Sequence, residues 1–567
     1  MNNKFSRRSF LKGGVATAAA AALSPAARAA GPEEENQPAI SSLCFTRSGP
    51  VQGIQQGEHL VWYGIPYAAP PVGEARWKAP QDPAGWAEPL DCTAPAPDAY
   101  QFNRCPMGSE DCLRLDVYSV PAAHARPVLV YLHGGNNQTG SSQSLPGGDL
   151  VEKAGCVFVS LSFRLGLFGF NCLPALCPTE EDTGSFTLLD IAKALDWVHD
   201  NIAAFGGDPD NITLSGFSAG GRDVMACLAS PLFADRFQKA ISFSGGITLT
   251  DEAASARQIA AALAPLAVED GCCPEESAAF DWLLTPGSDV RSWLYGLSSA
   301  RLCAQMTHAA IRMSGFPHLY TDGVVLPKEG FSAADLNKVP LLLLTGTTEF
   351  SSFALSDPFF TENTAGACSD AELSAAKQFA IRHGSAFYAR FNGEASAEAV
   401  TAKSDAPVWL CQVEYGSDNS RTPLPPLGSF HGIFVPMLSA ENPFSSLTDF
   451  TAKGYQAMAE QFITYLKNFL ACGVPNGSGL PNPLSGLPRW ERWVPEKRST
   501  MVLDADASVA HSACREVSTT DAALLAAMDA DASLSAELKT AVIRNVLNGR
   551  WFSGPIDEHY GNPSLWK

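Results

Sequence analysis

The stretch from Ile212 to Leu228 restricts what this chain can fold into more than any other. Ile212-Thr213-Leu214-Ser215 reads as a short buried strand, and Val224 to Leu228 begins an apolar, helix-compatible run. Between them lies Gly216-Phe217-Ser218-Ala219-Gly220, a G-x-S-x-G pattern. A strand that passes into a helix through so short a turn pushes the serine hydroxyl out of the sheet, and small residues let the backbone turn without clashing. Such a unit belongs to a sheet covered by helices.

The rest of the chain follows the same alternation. Val128 to Leu132, Val157 to Ser162, Ala240 to Phe243, Leu341 to Leu344 and Val408 to Val413 are near-continuous apolar runs. They fit parallel strands buried on both faces. Leu188, Leu189, Ile191, Ala192, Leu195, Val198 and Ile202 fall at helical spacing, as do Tyr455, Met458, Phe462, Leu466 and Phe469 in a helix expected from about 449 to 471. The expected class is α/β: a mostly parallel central sheet with helices on both faces. Two Ala-rich, helical-looking segments, roughly 250–338 and 355–405, interrupt the alternation and are expected to cap the crevice at the strands' carboxyl ends. A Pro- and Gly-rich connection spans 475–488, and an Ala/Asp-rich helical tail follows about residue 504, with no function legible in it. Length alone, 567 residues, favours two or more domains.

Ser6-Arg7-Arg8-Ser9-Phe10-Leu11-Lys12 carries a twin-arginine pair, an Ala-rich stretch follows from Gly13 to Ala27, and Ala27-Arg28-Ala29 offers a small-x-small cleavage site. Residues 1–29 resemble a twin-arginine (Tat) export signal, a receptor-read address and not an anchor. The expected location is the periplasm or outside the cell, with the Tat export machinery as partner of the precursor. Cleavage would remove Lys4, Arg7, Arg8, Lys12 and Arg28 and no acid. The formal charge, already −20, argues against nucleic acid as a partner. No apolar run in the body of the chain has the length of a membrane span, so no stable membrane anchor is expected. The 15 cysteines carry no metal signature. Cys156, Cys227 and Cys411 sit in apolar runs as small core residues, whereas Cys92, Cys105 and Cys112 are close enough in sequence for a local disulfide.

A serine hydroxyl needs a base before it becomes a nucleophile. Among ten histidines, His431 stands in the glycine-flanked loop Gly428-Ser429-Phe430-His431-Gly432, after the last apolar run. An acid that orients the base is expected between them at a strand end, where Glu349 is the first carboxylate after Pro340–Thr345; Glu414 and Asp418 are the alternatives. Tyr131-Leu132-His133-Gly134-Gly135-Asn136 closes a buried strand. The N–H groups of Gly135 and Asn136, with that of Ala219, are the expected donors to an oxyanion.

Together these residues resemble the type-B carboxylesterase and cholinesterase family of α/β-hydrolases. The resemblance extends over about residues 45–505. It includes Gly64-Ile65-Pro66-Tyr67-Ala68 with Pro71-Val72-Gly73 and Arg76, Ser109-Glu110-Asp111-Cys112-Leu113-Arg114-Leu115-Asp116-Val117, Phe205-Gly206-Gly207-Asp208-Pro209-Asp210-Asn211-Ile212-Thr213, and Asn476-Gly477 with Pro488-Arg489-Trp490. It implies one catalytic domain over 30–567 in place of two. It also implies a Ser218-His431-Glu349 triad and hydrolysis of small-molecule carboxylic esters through an acyl-enzyme without a cofactor or metal. A lipase for longer acyl glycerides, or a non-catalytic binding module, are the alternatives. The chain departs from the family pattern at Phe217, where a glutamate is usual, and at Asn136 and Asn137, where a glycine and an aromatic residue are usual. The Glu349 loop is two residues short. In the bridge the family makes to its SEDC cysteine, the partner of Cys112 is either Cys92 or Cys105.

Overall fold

The computed structural model describes residues 40–179, 181–306, 309–362, 368–444, 450–478 and 486–562. The export signal lies outside them, as do His308 and part of the 475–488 connection. Eleven strands among the described residues form one sheet. In chain order they are β1 (Ile54–Gln56), β2 (His59–Pro66), β3 (Arg114–Ser119), β4 (Arg126–Leu132), β5 (Val157–Leu161), β6 (Gly207–Phe217), β7 (Lys239–Phe243), β8 (Leu341–Gly346), β9 (Val408–Val413), β10 (Ser499–Leu503) and β11 (Ala513–Glu516). Their order across the sheet is β11-β10-β9-β8-β7-β6-β4-β5-β3-β2-β1.

From β5 across the sheet to β10 the strands run parallel to one another. β1, β2 and β3 on one side and β11 on the other are antiparallel. β7, β8 and β9 are buried along their whole length, which is why they read as apolar runs. Each fully buried Leu of β8 contributes on the order of 1.5–3 kcal/mol of hydrophobic stabilisation.

The helices that matter most here are α1 (Phe186–Asn201), α2 (Ala219–Ala229), α3 (Glu252–Glu269), α4 (Asp370–Arg390), α5 (Lys453–Cys472), α6 (Asp521–Ala530), α7 (Ala536–Val542) and α8 (Gly554–His559). Sequence chemistry fixes several of their ends. Ser369 and Glu372 form a reciprocal capping box at the start of α4, and Gly473 at φ 74° stops α5. Among the described residues the first insertion is α-helical only to Cys303, with one further short 3-10 turn at Phe331–Ala333. The tail begins with a strand, β11, before its helices, contrary to an all-helical expectation.

The chain-order reversal lies between β4 and β6, because β4 leads to β5 on one side and β6 leads to β7 on the other. In open α/β sheets ligands bind outside the carboxyl ends of strands at such a switch point. The connections of the candidate site leave the sheet there.

The signature residues near the N-terminal side turn out to be structural. Arg76 grips Glu110 through two hydrogen bonds of 2.8 Å. Asp116 accepts from the Gly64 N–H at 2.7 Å. Asn476 and the backbone of Trp490 exchange two hydrogen bonds, at 2.7 and 3.0 Å. The expected local disulfide is absent: Cys92, Cys105 and Cys112 are free thiols. Cys105 stands exposed on the short hairpin strand Cys105–Met107, whereas Cys92 and Cys112 are buried. Burial pushes the Cys92 thiol up to about 12.

Candidate active site

Strand register assembles the site. Gly216 of β6 lies opposite Leu132 of β4, and Phe217 opposite Phe243 of β7. The residues that follow those ends, Ser218, His133–Asn137 and Ser244, therefore emerge side by side. Ser218 has φ 56° and ψ −116°, a conformation costly for a residue with a side chain, and its N–H donates to the Phe243 carbonyl at 2.9 Å. The flanking glycines are obligatory here. A Cβ on Gly220 would lie 2.2 Å from the Leu132 carbonyl oxygen, and one on Gly216 2.2 Å from that of Gly220.

Glu349 is wholly buried at the end of β8. Its Oε1 accepts from Ser244 Oγ at 2.6 Å, Thr345 Oγ1 at 3.1 Å and the Gly346 N–H at 2.6 Å. Its other oxygen, Oε2, accepts from His431 Nδ1 at 2.5 Å. The His431 loop is pinned to the same strand ends, since Ser429 Oγ donates to the Val413 carbonyl at 2.6 Å and the Thr348 N–H donates to the Ser429 carbonyl at 3.0 Å. The two alternative acids lie elsewhere: Glu414 pairs with Arg515, and Asp418 is exposed.

Aromatic rings surround the imidazole. Phe217 lies 4.7 Å away between ring centroids, Phe353 5.2 Å and Tyr388 5.5 Å. The residue that replaces the family's usual glutamate thus presents an apolar face to His431. His431 Nε2 is buried and has no hydrogen-bond partner among the described residues, Ser218 included.

The loop after β4 lies directly against the serine, since a Cβ on Gly134 would stand 3.1 Å from the Ser218 Cβ. Gly135, at φ 111°, could carry no side chain, because a Cβ would come within 2.0 Å of the Thr139 carbonyl oxygen. Asn136 and Asn137 follow at φ 58° and 56°, left-handed conformations that asparagine tolerates best among residues with side chains. The N–H groups of Gly135, Asn136 and Ala219 donate to no other described residue.

Sequence reasoning missed three contributors. Ser244, at φ 53°, and Thr345 hold the acid, yet isolated hydroxyl residues after an apolar run carry no signal. The C-terminal tail is the third. Trp551 and Phe552 join Ala219, Phe350 and Tyr388 in one hydrophobic cluster, and Phe552 stacks on Tyr388 at 5.1 Å. Arg550, fully buried, anchors this segment on Asp357 at 2.5 Å.

Comparison with known proteins agrees with this architecture. The carboxylesterase family pattern matches residues 41–384, and a twin-arginine translocation signal pattern matches residues 4–24. The latter marks the chain for export to the periplasm or beyond; among the described residues no helix is long and apolar enough to cross a membrane. Para-nitrobenzyl esterase of Bacillus subtilis is 40% identical over 242 residues, 40% of this chain and 49% of that protein. Fumonisin B1 esterase of Sphingopyxis macrogoltabida is 36% identical over 238 residues, 39% of this chain and 44% of that protein. The chain thus spans about half the length of the curated relatives it matches. Among solved structures, a PNB esterase superposes with a TM-score of 0.63 at 27% identity, covering 83% of this chain and 97% of the other. The Geobacillus stearothermophilus carboxylesterase EST55 gives 0.64 at 26%, covering 86% and 100%. With more than half of its residues inside the family pattern and an α/β-hydrolase sheet around them, the chain belongs to the carboxylesterase family.

Proposed function

We propose that this protein is an exported serine carboxylesterase that hydrolyses small carboxylic esters, with residues 30–567 acting as one catalytic domain. The observation that carries the reading is the buried Glu349–His431 pair, whose outer nitrogen, Nε2, has no hydrogen-bond partner among the described residues, while the neighbouring ring of Phe217 belongs to the residue just before Ser218. A buried polar atom without a hydrogen bond costs about 1–3 kcal/mol. That cost is accounted for if Nε2 takes a proton during the reaction.

Glu349 holds the Nδ1–H tautomer, so Nε2 is the free base. Nε2 takes the Ser218 proton as Oγ attacks the ester carbonyl. The oxyanion that forms accepts from the N–H groups of Gly135, Asn136 and Ala219, three donors that no protein acceptor occupies. The imidazolium then gives its proton to the leaving alcohol, and water cleaves the acyl-enzyme by the same route in reverse. Charge on the ring is balanced by Glu349 and by the faces of Phe217 and Tyr388. With Phe217 in place of a carboxylate, neutral esters suit the site better than cationic ones.

The test is hydrolysis of p-nitrophenyl acetate together with labelling by a fluorophosphonate. Ser218→Ala is expected to lower kcat by about 10⁴-fold or more and to abolish labelling. Undiminished hydrolysis in that variant refutes the assignment, and an unlabelled, inactive parent leaves the binding-module alternative standing.

A further inference from the structure

The oxyanion hole proposed above is built from two pieces remote in sequence. Gly135 and Asn136 belong to the loop after β4, and Ala219 opens α2. The ladder between β4 and β6 ends at Leu132 and Gly216, before either set of donors is reached. Past that point one side-chain hydrogen bond spans the gap. Asn137 Nδ2 donates to Asp223 Oδ1 at 2.8 Å. Both residues are almost wholly buried, with 2% and 0% of their surface exposed.

Three details show that this contact is built and not incidental. Asn137 keeps a left-handed backbone at φ 56°, and its carbonyl is fixed by the Gly166 N–H at 2.7 Å. Asp223 stands on the first turns of α2, the helix that follows Ser218 directly. The remaining oxygens, Asn137 Oδ1 and Asp223 Oδ2, have no hydrogen-bond partner among the described residues, so no second hydrogen bond from these oxygens holds either side chain if the stitch is cut. Neighbouring Arg222 supplies the compensating charge. Its Nη1 donates to His318 Nε2 at 2.6 Å and its Nη2 to the Thr248 carbonyl at 2.7 Å, while its guanidinium lies 4.3 Å from the Trp551 ring centre.

We propose that Asn137 and Asp223 are positioning residues: their hydrogen bond sets the distance between the loop donors and the helix donor of the oxyanion hole. The inference rests on the esterase reading. An oxyanion donor acts only at about 2.7–3.1 Å from the charge that develops, so a loop that drifts by a few tenths of an ångström loses most of its effect. It also gives the departure from an aromatic residue at 137 a chemical purpose.

The experiment uses the purified full-length chain and p-nitrophenyl acetate, with Ser218→Ala as control. Asn137→Ala and Asp223→Ala are each expected to lower kcat by about 10- to 100-fold, a fraction of what a lost oxyanion donor costs. KM should stay within about twofold. A trifluoromethyl ketone inhibitor, whose hemiketal oxyanion needs the same donors, should weaken by the same factor as kcat/KM falls. Asp223→Asn, whose amide oxygen still accepts, should stay within about threefold of the parent, and the double alanine variant should be no worse than either single one. Thermal melting separates these effects from unfolding. Parent kcat and inhibitor affinity in a folded Asn137→Ala would overturn the proposal, as would equal rates for Asp223→Ala and Asp223→Asn should Asn137→Ala not fold. Failure of the esterase reading shows differently, as a Ser218→Ala that keeps the parent's rate.

Discussion

Two buried ion pairs in this molecule are chemically alike and differently finished. Arg164 and Asp190 meet beneath the N-terminal strands at 2.6 Å, and His431 and Glu349 meet at the carboxyl ends of β8 and β9 at 2.5 Å. In the first, Asp190 accepts from the Arg164 backbone N–H, Nε and Nη2, and the remaining Nη1 donates to the carbonyls of Arg76 and Lys78. Every side-chain nitrogen and oxygen of this pair has a partner. In the second, Glu349 is saturated by three donors and the imidazole, yet the far nitrogen of that imidazole has no partner. Burial of a charged group needs complete pairing for stability. In the second pair, pairing stops one atom short, at the nitrogen proposed above to act as base.

The largest expected effect comes from closing off that nitrogen. Three donors fix Glu349 Oε1 as the acceptor side, so Glu349→Gln would turn its NH₂ toward His431 Nδ1. The ring would then carry its proton on Nε2 and could not act as base. We expect kcat to fall by about 10³- to 10⁴-fold with the melting temperature nearly unchanged, read by steady-state kinetics and calorimetry. A variant that keeps a tenth of the parent rate would show that the two pairs do not differ in kind.

Cutting the finished pair should do the reverse. Arg164→Ala leaves Asp190 buried and unpaired and is expected to cost about 3–5 kcal/mol of stability, measured from urea midpoints. Activity per folded molecule should stay within about twofold. A selective loss of kcat would move Arg164 into the functional class.

The smallest effect sharpens the contrast through pH. Burial pushes the Asp223 carboxyl up to about 7, opposed by the Asn137 hydrogen bond and the Arg222 charge. Because the folded value lies above the ordinary one, this group's contribution to stability is complete below about pH 4 and lost as pH rises through 7. Asp223→Asn does not titrate. Relative to the parent, its melting temperature should therefore be higher at pH 8 than at pH 5, by a few degrees. No pH dependence of that difference would mean that Asp223 is ionised throughout.

What the sequence disclosed follows from the same physics. The central strands are buried on both faces, so Leu341 to Leu344 and Val408 to Val413, the latter interrupted only by Gln412, appear as apolar runs and their limits were legible to within two residues. The edge strands Ile54–Gln56 and Ala513–Glu516 are short and mostly polar, and no period separates them from loops. Ser218, Glu349 and His431 could be nominated because each sits in a short pattern tied to chain order. Ser244, Thr345 and the Asn137–Asp223 contact depend on where distant strands end, which only the assembled sheet reveals. The tail was opaque because Ala and Asp say nothing about what a helix packs on.

That tail has a consequence for how the protein is made. Trp551 and Phe552 complete the hydrophobic cluster that contains Ala219, Phe350 and Tyr388, and Arg550 locks them to Asp357. Synthesis runs from the N-terminus, so Ser218, Glu349 and His431 all leave the ribosome before Arg550, Trp551 and Phe552. A nascent chain that stops short of them holds the proposed triad without the apolar wall that Trp551 and Phe552 supply.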